Sequence, residues 1–260
     1  MNKHTSIATL LLVSLLSACG KEAVQSITEP FSTSAVRFFN FGVGAPSVNF
    51  YANETKMTAA LSSSGAEATT GVGYGGVGAS GAYEALAPGQ YTLTGKIAAA
   101  TDKDVAISPV VATIDNAKHY SYYMSGIYST TTKTVDAFVV EDPFVEPTDF
   151  SAATVRFVHA ISNANPMTLY AKSTTAGSVE VAVGAEVAYK NAGAFMQLPA
   201  GVYDLNTRYA GATTSALTRP AVTFAGGKVY TITARGDITA TPSTACGSAN
   251  KTCLDNTANR

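Results

Sequence analysis

Tryptophan is absent from this 260-residue chain, and cysteine and histidine occur only three times each. These scarcities limit what the protein can do. Past residue 19 only two thiols remain, Cys246 and Cys253, with no histidine nearby, short of the three or four ligands zinc needs. A serine triad would need a histidine base, and beyond the first few residues the chain offers only His119 and His159, in different parts of the sequence. Charged residues make up 13% and the net charge is -1, so there is no basic footprint for nucleic acid and no long-range field for an anionic ligand. No amphipathic run is long enough for a major helix. The longest apolar run, Ile7 to Leu16, is too short to span a bilayer as a mature helix.

What the chain has in quantity is repetition. Val36-Arg37-Phe38-Phe39-Asn40 returns as Val155-Arg156-Phe157-Val158-His159, and Val48-Asn49-Phe50-Tyr51-Ala52 as Met167-Thr168-Leu169-Tyr170-Ala171. Leu86-Ala87-Pro88-Gly89-Gln90-Tyr91 is answered by Leu198-Pro199-Ala200-Gly201-Val202-Tyr203, and Lys118-His119-Tyr120-Ser121-Tyr122 by Lys228-Val229-Tyr230-Thr231-Ile232, with Gly126 opposite Gly236. Four blocks in the same order predict a duplicated domain. Alternating segments such as Tyr91-Thr92-Leu93-Thr94, separated by Gly, Pro and Asn turns, predict short strands. The expected architecture is all-β: two tandem immunoglobulin-like β-sandwiches of about seven strands each.

The expected boundaries are a signal peptide over 1–18, a flexible tether over 19–34 and sandwiches over 35–140 and 154–239. An acidic, proline-containing linker at 141–153 should stay extended and solvated, and a polar tail occupies 240–260. The apolar run ends in Leu16-Ser17-Ala18-Cys19, which resembles a bacterial lipobox. That resemblance implies lipid on Cys19, and hence a membrane-anchored envelope protein. Lys21 in place of an acidic residue favours the outer membrane. Export implies an oxidising compartment, in which Cys246 and Cys253 are expected to pair as a local clip on the tail.

The run Val155 to Ala160, the Asn163-Ala164-Asn165-Pro166 turn, Leu169-Tyr170 and the Leu198 to Tyr203 block together resemble domain of unknown function 4397. The family consists of exported bacterial β-sandwich modules, often repeated. It carries no established activity, so the resemblance implies fold and compartment. Asn40 stands where the family commonly has histidine.

Chemistry is sparse. Gly71-Val72-Gly73-Tyr74-Gly75-Gly76 has dinucleotide-fingerprint spacing, but no helix follows to receive a pyrophosphate, so it reads as a loop. No cofactor and no catalytic residue is expected. Candidate ligand or interface contacts are Tyr120, Tyr122, Tyr123 and Tyr128, which could stack on sugars or anchor a partner, and Arg37, Arg156 and His159. Against these stand plainer readings: tyrosines packed in the core or at a strand edge, arginines on a solvated face, and a hydrogen-bonded structural histidine. The expected role is a structural or adhesion-like envelope protein, with binding of cell-wall or capsular sugar as the alternative. Its partners would be the membrane, through Cys19, and an envelope protein or polysaccharide.

Overall fold

The computed structural model describes residues 34–59, 62–64, 70–143, 147–246 and 252–259. The signal peptide, Cys19 and nearly all of the tether lie outside the described residues.

The described residues form sixteen strands in four sheets. The first repeat contributes β1 (Ala35–Val43), β2 (Val48–Ala52), β3 (Thr55–Lys56), β4 (Glu84–Ala85), β5 (Gly89–Ile97), β6 (Val110–Ile114), β7 (His119–Ser129) and β8 (Thr134–Glu141). The second contributes β9 (Ala152–Ala160), β10 (Met167–Ser173), β11 (Val181–Ala182), β12 (Met196–Pro199), β13 (Gly201–Tyr209), β14 (Leu217–Phe224), β15 (Val229–Arg235) and β16 (Cys253–Ala258). Sheet orders β4-β1-β7-β8 and β3-β2-β5-β6 are reproduced strand for strand as β12-β9-β15-β16 and β11-β10-β13-β14. In each repeat the first strand runs parallel to the seventh, with Val36 opposite Tyr120 and Val155 opposite Tyr230. The fold is all-β, two sandwiches, with eight strands per repeat rather than seven.

Alternation along a strand explains the layering. Val36 and Phe38 pack on Phe50, Leu93 and Tyr122 inside the first sandwich, as Val155 and Phe157 pack on Leu169, Leu205 and Ile232 inside the second. The opposite parity is buried too. Phe39, Phe41, Tyr123 and Phe138 form a third cluster with Val158 and Ala160, between β1-β7-β8 of one repeat and β9 of the other. Phe39 stacks on Tyr123 at 4.6 Å and Tyr123 on Phe138 at 5.1 Å. Each such ring pair contributes about 0.5–1.5 kcal/mol beyond its area burial. The two repeats are therefore fused face to face.

Two expectations are corrected. Residues 141–153 are not a solvated spacer throughout: Glu141 closes β8, and Asp142 is only 2% exposed. Nor are 240–260 a free tail. Their last part is β16, which pairs with β15 from Tyr230–Ala258 to Arg235–Cys253 and completes the second repeat as β8 completes the first. The Cys246–Cys253 disulfide fastens the start of that strand, with Cα atoms 5.6 Å apart.

The divergence of Asn40 from His159 keeps one structural bond and redirects the other. Asn40 Oδ1 accepts the Gly42 N–H at 3.3 Å, and His159 Nδ1 accepts the Ile161 N–H at 3.2 Å. Asn40 Nδ2 donates to the Val72 carbonyl at 2.8 Å; His159 Nε2 reaches the Asn165 carbonyl at 3.1 Å. Because Nδ1 accepts, the proton belongs on Nε2 and the ring is neutral. Burial holds its pKa below the ordinary 6.5. A depressed histidine pKa stabilises the fold fully above 6.5, and that contribution is lost as pH falls toward the lower, folded value. His159→Asn is expected to fold, and its melting temperature should fall less than the parent's between neutral and mildly acidic pH. Parallel acid-induced losses in the two proteins, measured by thermal melts across that range, would rule this out.

Candidate functional site

Three of the candidate residues, Arg37, Arg156 and Tyr123, meet at the junction of the two inner sheets, and the others pack within their own repeat. Arg37 and Arg156 are 3% and 1% exposed, which corrects the expectation of a solvated strand face. Each guanidinium reaches across to the end of the other repeat's last strand. Arg37 donates to the Ala258 and Asn259 carbonyls at 2.9 and 3.3 Å. Arg156 donates to the Glu141 carbonyl at 2.8 Å and to Asp142 Oδ1. Each also lies over an aromatic ring, Arg37 over Tyr83 at 4.0 Å and Arg156 over Phe195 at 4.6 Å. The junction has pseudo-two-fold symmetry, the intrachain counterpart of an isologous dimer interface.

A closed ring of hydrogen bonds crosses it. Tyr83 Oη donates to Asp142 Oδ2 at 2.6 Å and accepts from Asn259 Nδ2 at 2.9 Å. Asn259 Oδ1 accepts from Thr231 Oγ1 at 2.8 Å, and that hydroxyl accepts from Arg156 Nε at 3.1 Å. The Arg156–Asp142 bond closes the circuit, and Ser121 Oγ adds a further donor to Asp142 at 2.7 Å. A buried charge is tolerable only when paired and fully hydrogen-bonded, and this ring meets that demand for the Arg156–Asp142 pair.

The tyrosines take the plainer of their two readings and pack inside. Tyr122 and Tyr123 are fully buried and Tyr120 nearly so, so none offers a ring face to a sugar. Tyr122 Oη donates to Ser108 Oγ at 2.7 Å inside the first sandwich. Burial pushes the Tyr123 hydroxyl up to about 12. Tyr128 is half-buried against the same core. His119 meets Tyr83 edge-on at 5.1 Å, far from any pairing with His159.

The Gly-rich loop also belongs to the junction. Gly75 has φ +76, and a Cβ there would lie 3.0 Å from Arg235 Nη2, so glycine is needed both for the backbone and for the guanidinium. Its counterpart by backbone pairing is Lys190, also left-handed at φ 68. Beside it Tyr189 Oη meets Ser125 Oγ at 2.9 Å, and Lys190 Nζ donates to Asp136 Oδ1 at 2.7 Å. Gly73, Tyr74, Gly75 and Gly76 share with Arg235, Cys246 and Asp255 a cavity of about 430 Å³ between the repeats. Cys246, Cys253 and Asp255 have ligand-type atoms within 4.8 Å of one another, but the sulfurs are tied in the disulfide and Asp255 accepts from Arg235 Nε at 2.6 Å. A further concavity, of about 640 Å³, lies in the first repeat, lined by small and uncharged residues including Asn49, Thr58, Gly71 and Ser80.

Sequence reading passed over the outer sheets. Lys96 lies over Tyr51 at 4.5 Å and pairs with Glu54 at 2.9 Å. Arg208 lies over Tyr170 at 4.5 Å and pairs with Glu180 at 2.7 Å. Both tyrosines fall in the duplicated second-strand block, and both cations sit on the fifth strand of their repeat. The signal was therefore in the repeat alignment, in residues five positions past the matched Tyr91 and Tyr203.

A family model for a domain of unknown function (DUF4397) matches residues 34–170 and again 153–252. The chain belongs to this family and carries two copies of its domain. No curated protein matches. Among solved structures, the Bacillus anthracis TIE protein aligns at 14% identity and TM-score 0.24, over 78% of this chain and 33% of its own. The chain thus spans about a third of that protein's length. A structure from Bacteroides ovatus ATCC 8483 named for cell adhesion aligns at 11% identity and TM-score 0.26, over 89% of this chain and 97% of its own.

The twin positions Asp142 and Asn259 suggest a graded test. Asp142→Ala strands the Arg156 guanidinium and should cost about 3–5 kcal/mol in chemical denaturation, the usual penalty for breaking a buried pair. Asp142→Asn, which copies the residue found at the other end of the junction, should cost distinctly less. Equal losses for the two would mean that the carboxylate's charge, not its hydrogen bonding, holds the ring.

Proposed function

We propose that the chain is a lipid-anchored cell-envelope protein with a structural or interaction role, acting through binding rather than catalysis. The observation that carries this reading is the fused junction. Arg37, Arg156, Asp142 and His159, all buried, are engaged in hydrogen bonds that hold the fold. Fusion also makes the two repeats one presented body rather than two beads on a spacer. The Cys246–Cys253 disulfide is consistent with an oxidising compartment, and the Leu16-Ser17-Ala18-Cys19 motif supplies the anchor.

Sugar binding is a second reading, favoured by the Tyr170–Arg208–Glu180 group on the outer sheet of the second repeat. Tyr170 is half-exposed beneath Arg208, an arrangement suited to stacking on a pyranose while the cation meets a uronate or phosphate.

Two measurements address anchoring and display. Cells fed labelled palmitate should incorporate it into the protein, and Cys19→Ala should abolish the label; an unlabelled parent would remove the lipid anchor from the proposal. Protease shaving of intact cells, with a periplasmic control, should then remove the sandwiches if they are surface-displayed. Full protection would assign the structural role to the periplasm and discard adhesion.

A further inference from the structure

We infer that the Cys246–Cys253 disulfide is a redox-sensitive latch on the junction between the two repeats, because it fastens the strand that supplies half of that junction's acceptors. Arg37 of the first repeat bonds to carbonyls of Ala258 and Asn259, at the far end of β16. The Asn259 side chain supplies two further links of the ring, to Thr231 and Tyr83. If β16 loosens, those bonds go with it.

The first repeat provides an internal comparison. β7 ends at Ser129 and β8 begins at Thr134, so four residues (130–133) join the equivalent strands in a hairpin. β15 ends at Arg235 and β16 begins at Cys253, leaving seventeen residues (236–252) between them. Closing a long loop costs more entropy than closing a short one, so β16 docks at a disadvantage that β8 does not have. β16 is also an edge strand, hydrogen-bonded within its sheet to β15 alone. The disulfide restores the missing restraint at the residue where β16 starts. Thr252 assists it, with its N–H-accepting Oγ1 3.0 Å from the Asp237 nitrogen.

The bond is reachable. Cys253 is buried, but Cys246 is half-exposed and lines the cavity that Tyr74 and the Gly-rich loop share with Arg235. A dithiol reductant attacking there breaks the S–S bond and leaves two thiols at 246 and 253. The dithiol loses two electrons and two protons and closes to its own disulfide.

The test is hydrogen exchange on the full chain before and after reduction by dithiothreitol, with alkylation confirming two free thiols at 246 and 253. Exchange should quicken by about tenfold or more in Cys253–Ala258. It should also quicken in β1 around Arg37, and the core strand β5 should stay protected. Cys246→Ser, at the half-exposed partner, should reproduce the effect without reductant. Unchanged exchange in β16 after complete reduction would overturn the latch. So would faster exchange confined to β16 with β1 unaffected, since the disulfide would then clip only its own strand.

Discussion

Placing the Arg156 guanidinium between two β-sandwiches is the constraint on which the rest of this structure depends. Desolvating an arginine costs several kcal/mol unless its charge and its N–H groups are met. Asp142 meets the charge at Nη2, the Glu141 carbonyl and Thr231 hydroxyl accept from Nη1 and Nε, and Tyr83 and Asn259 close the ring. Asp142 comes from the end of the first repeat and Asn259 from the end of the second. The ring therefore cannot form unless β8 and β16 are both in place, which ties the stability of the junction to the final strand of each repeat.

Duplication made this junction possible, and divergence made it fit. A symmetric pairing of identical repeats would place like residues at both ends. Here Arg156 meets a carboxylate, whereas Arg37 meets two backbone carbonyls and a tyrosine ring. The same trade appears beside it: Arg235 lies against Gly75 of the first repeat, while Ser125 bonds Tyr189 of the second. Volume and charge were redistributed across the pseudo-axis without changing strand order. Gly126 and Gly236 stayed glycine because both sit at positive φ, 86 and 118, directly after those paired positions.

The duplication, the strand content and the sandwich class could be read from sequence because they rest on local alternation and on matched blocks. The junction could have been suspected. In Val36-Arg37-Phe38-Phe39-Asn40-Phe41 both parities carry large aromatics, and a strand with only one buried face does not read that way. Arg37 shared its parity with Phe39 and Phe41, yet an arginine on a strand suggests solvent by default. What turned it inward was a partner more than two hundred residues away, Asn259, which no local pattern reveals. Asp142 was misread for the same reason. Flanking prolines and carboxylates look like a linker, and only the tertiary contact with Arg156 separates this acid from its solvated neighbours. β16 escaped notice because its sequence, Cys253-Leu254-Asp255-Asn256-Thr257-Ala258, has little β propensity; pairing with β15 imposes the conformation.

Fusing the inner sheets moves any binding capacity outward. The residues first considered for ligand contact, Tyr122 and Tyr123 above all, are interior. The remaining large faces are the outer sheets β3-β2-β5-β6 and β11-β10-β13-β14. Each carries a tyrosine under a cation whose charge is balanced by a glutamate. The two differ in access: Tyr51 is buried, whereas Tyr170 is half-exposed and lies outside the second sandwich's core cluster. With the inner sheets packed against each other, the outer sheets face away from the junction. Two such faces on one fused body cannot close on the same short ligand. Under the proposed sugar-binding reading, such faces would engage two ligands or two stretches of a long polymer, which calls for cross-linking rather than the clamp-like avidity of modules on a spacer.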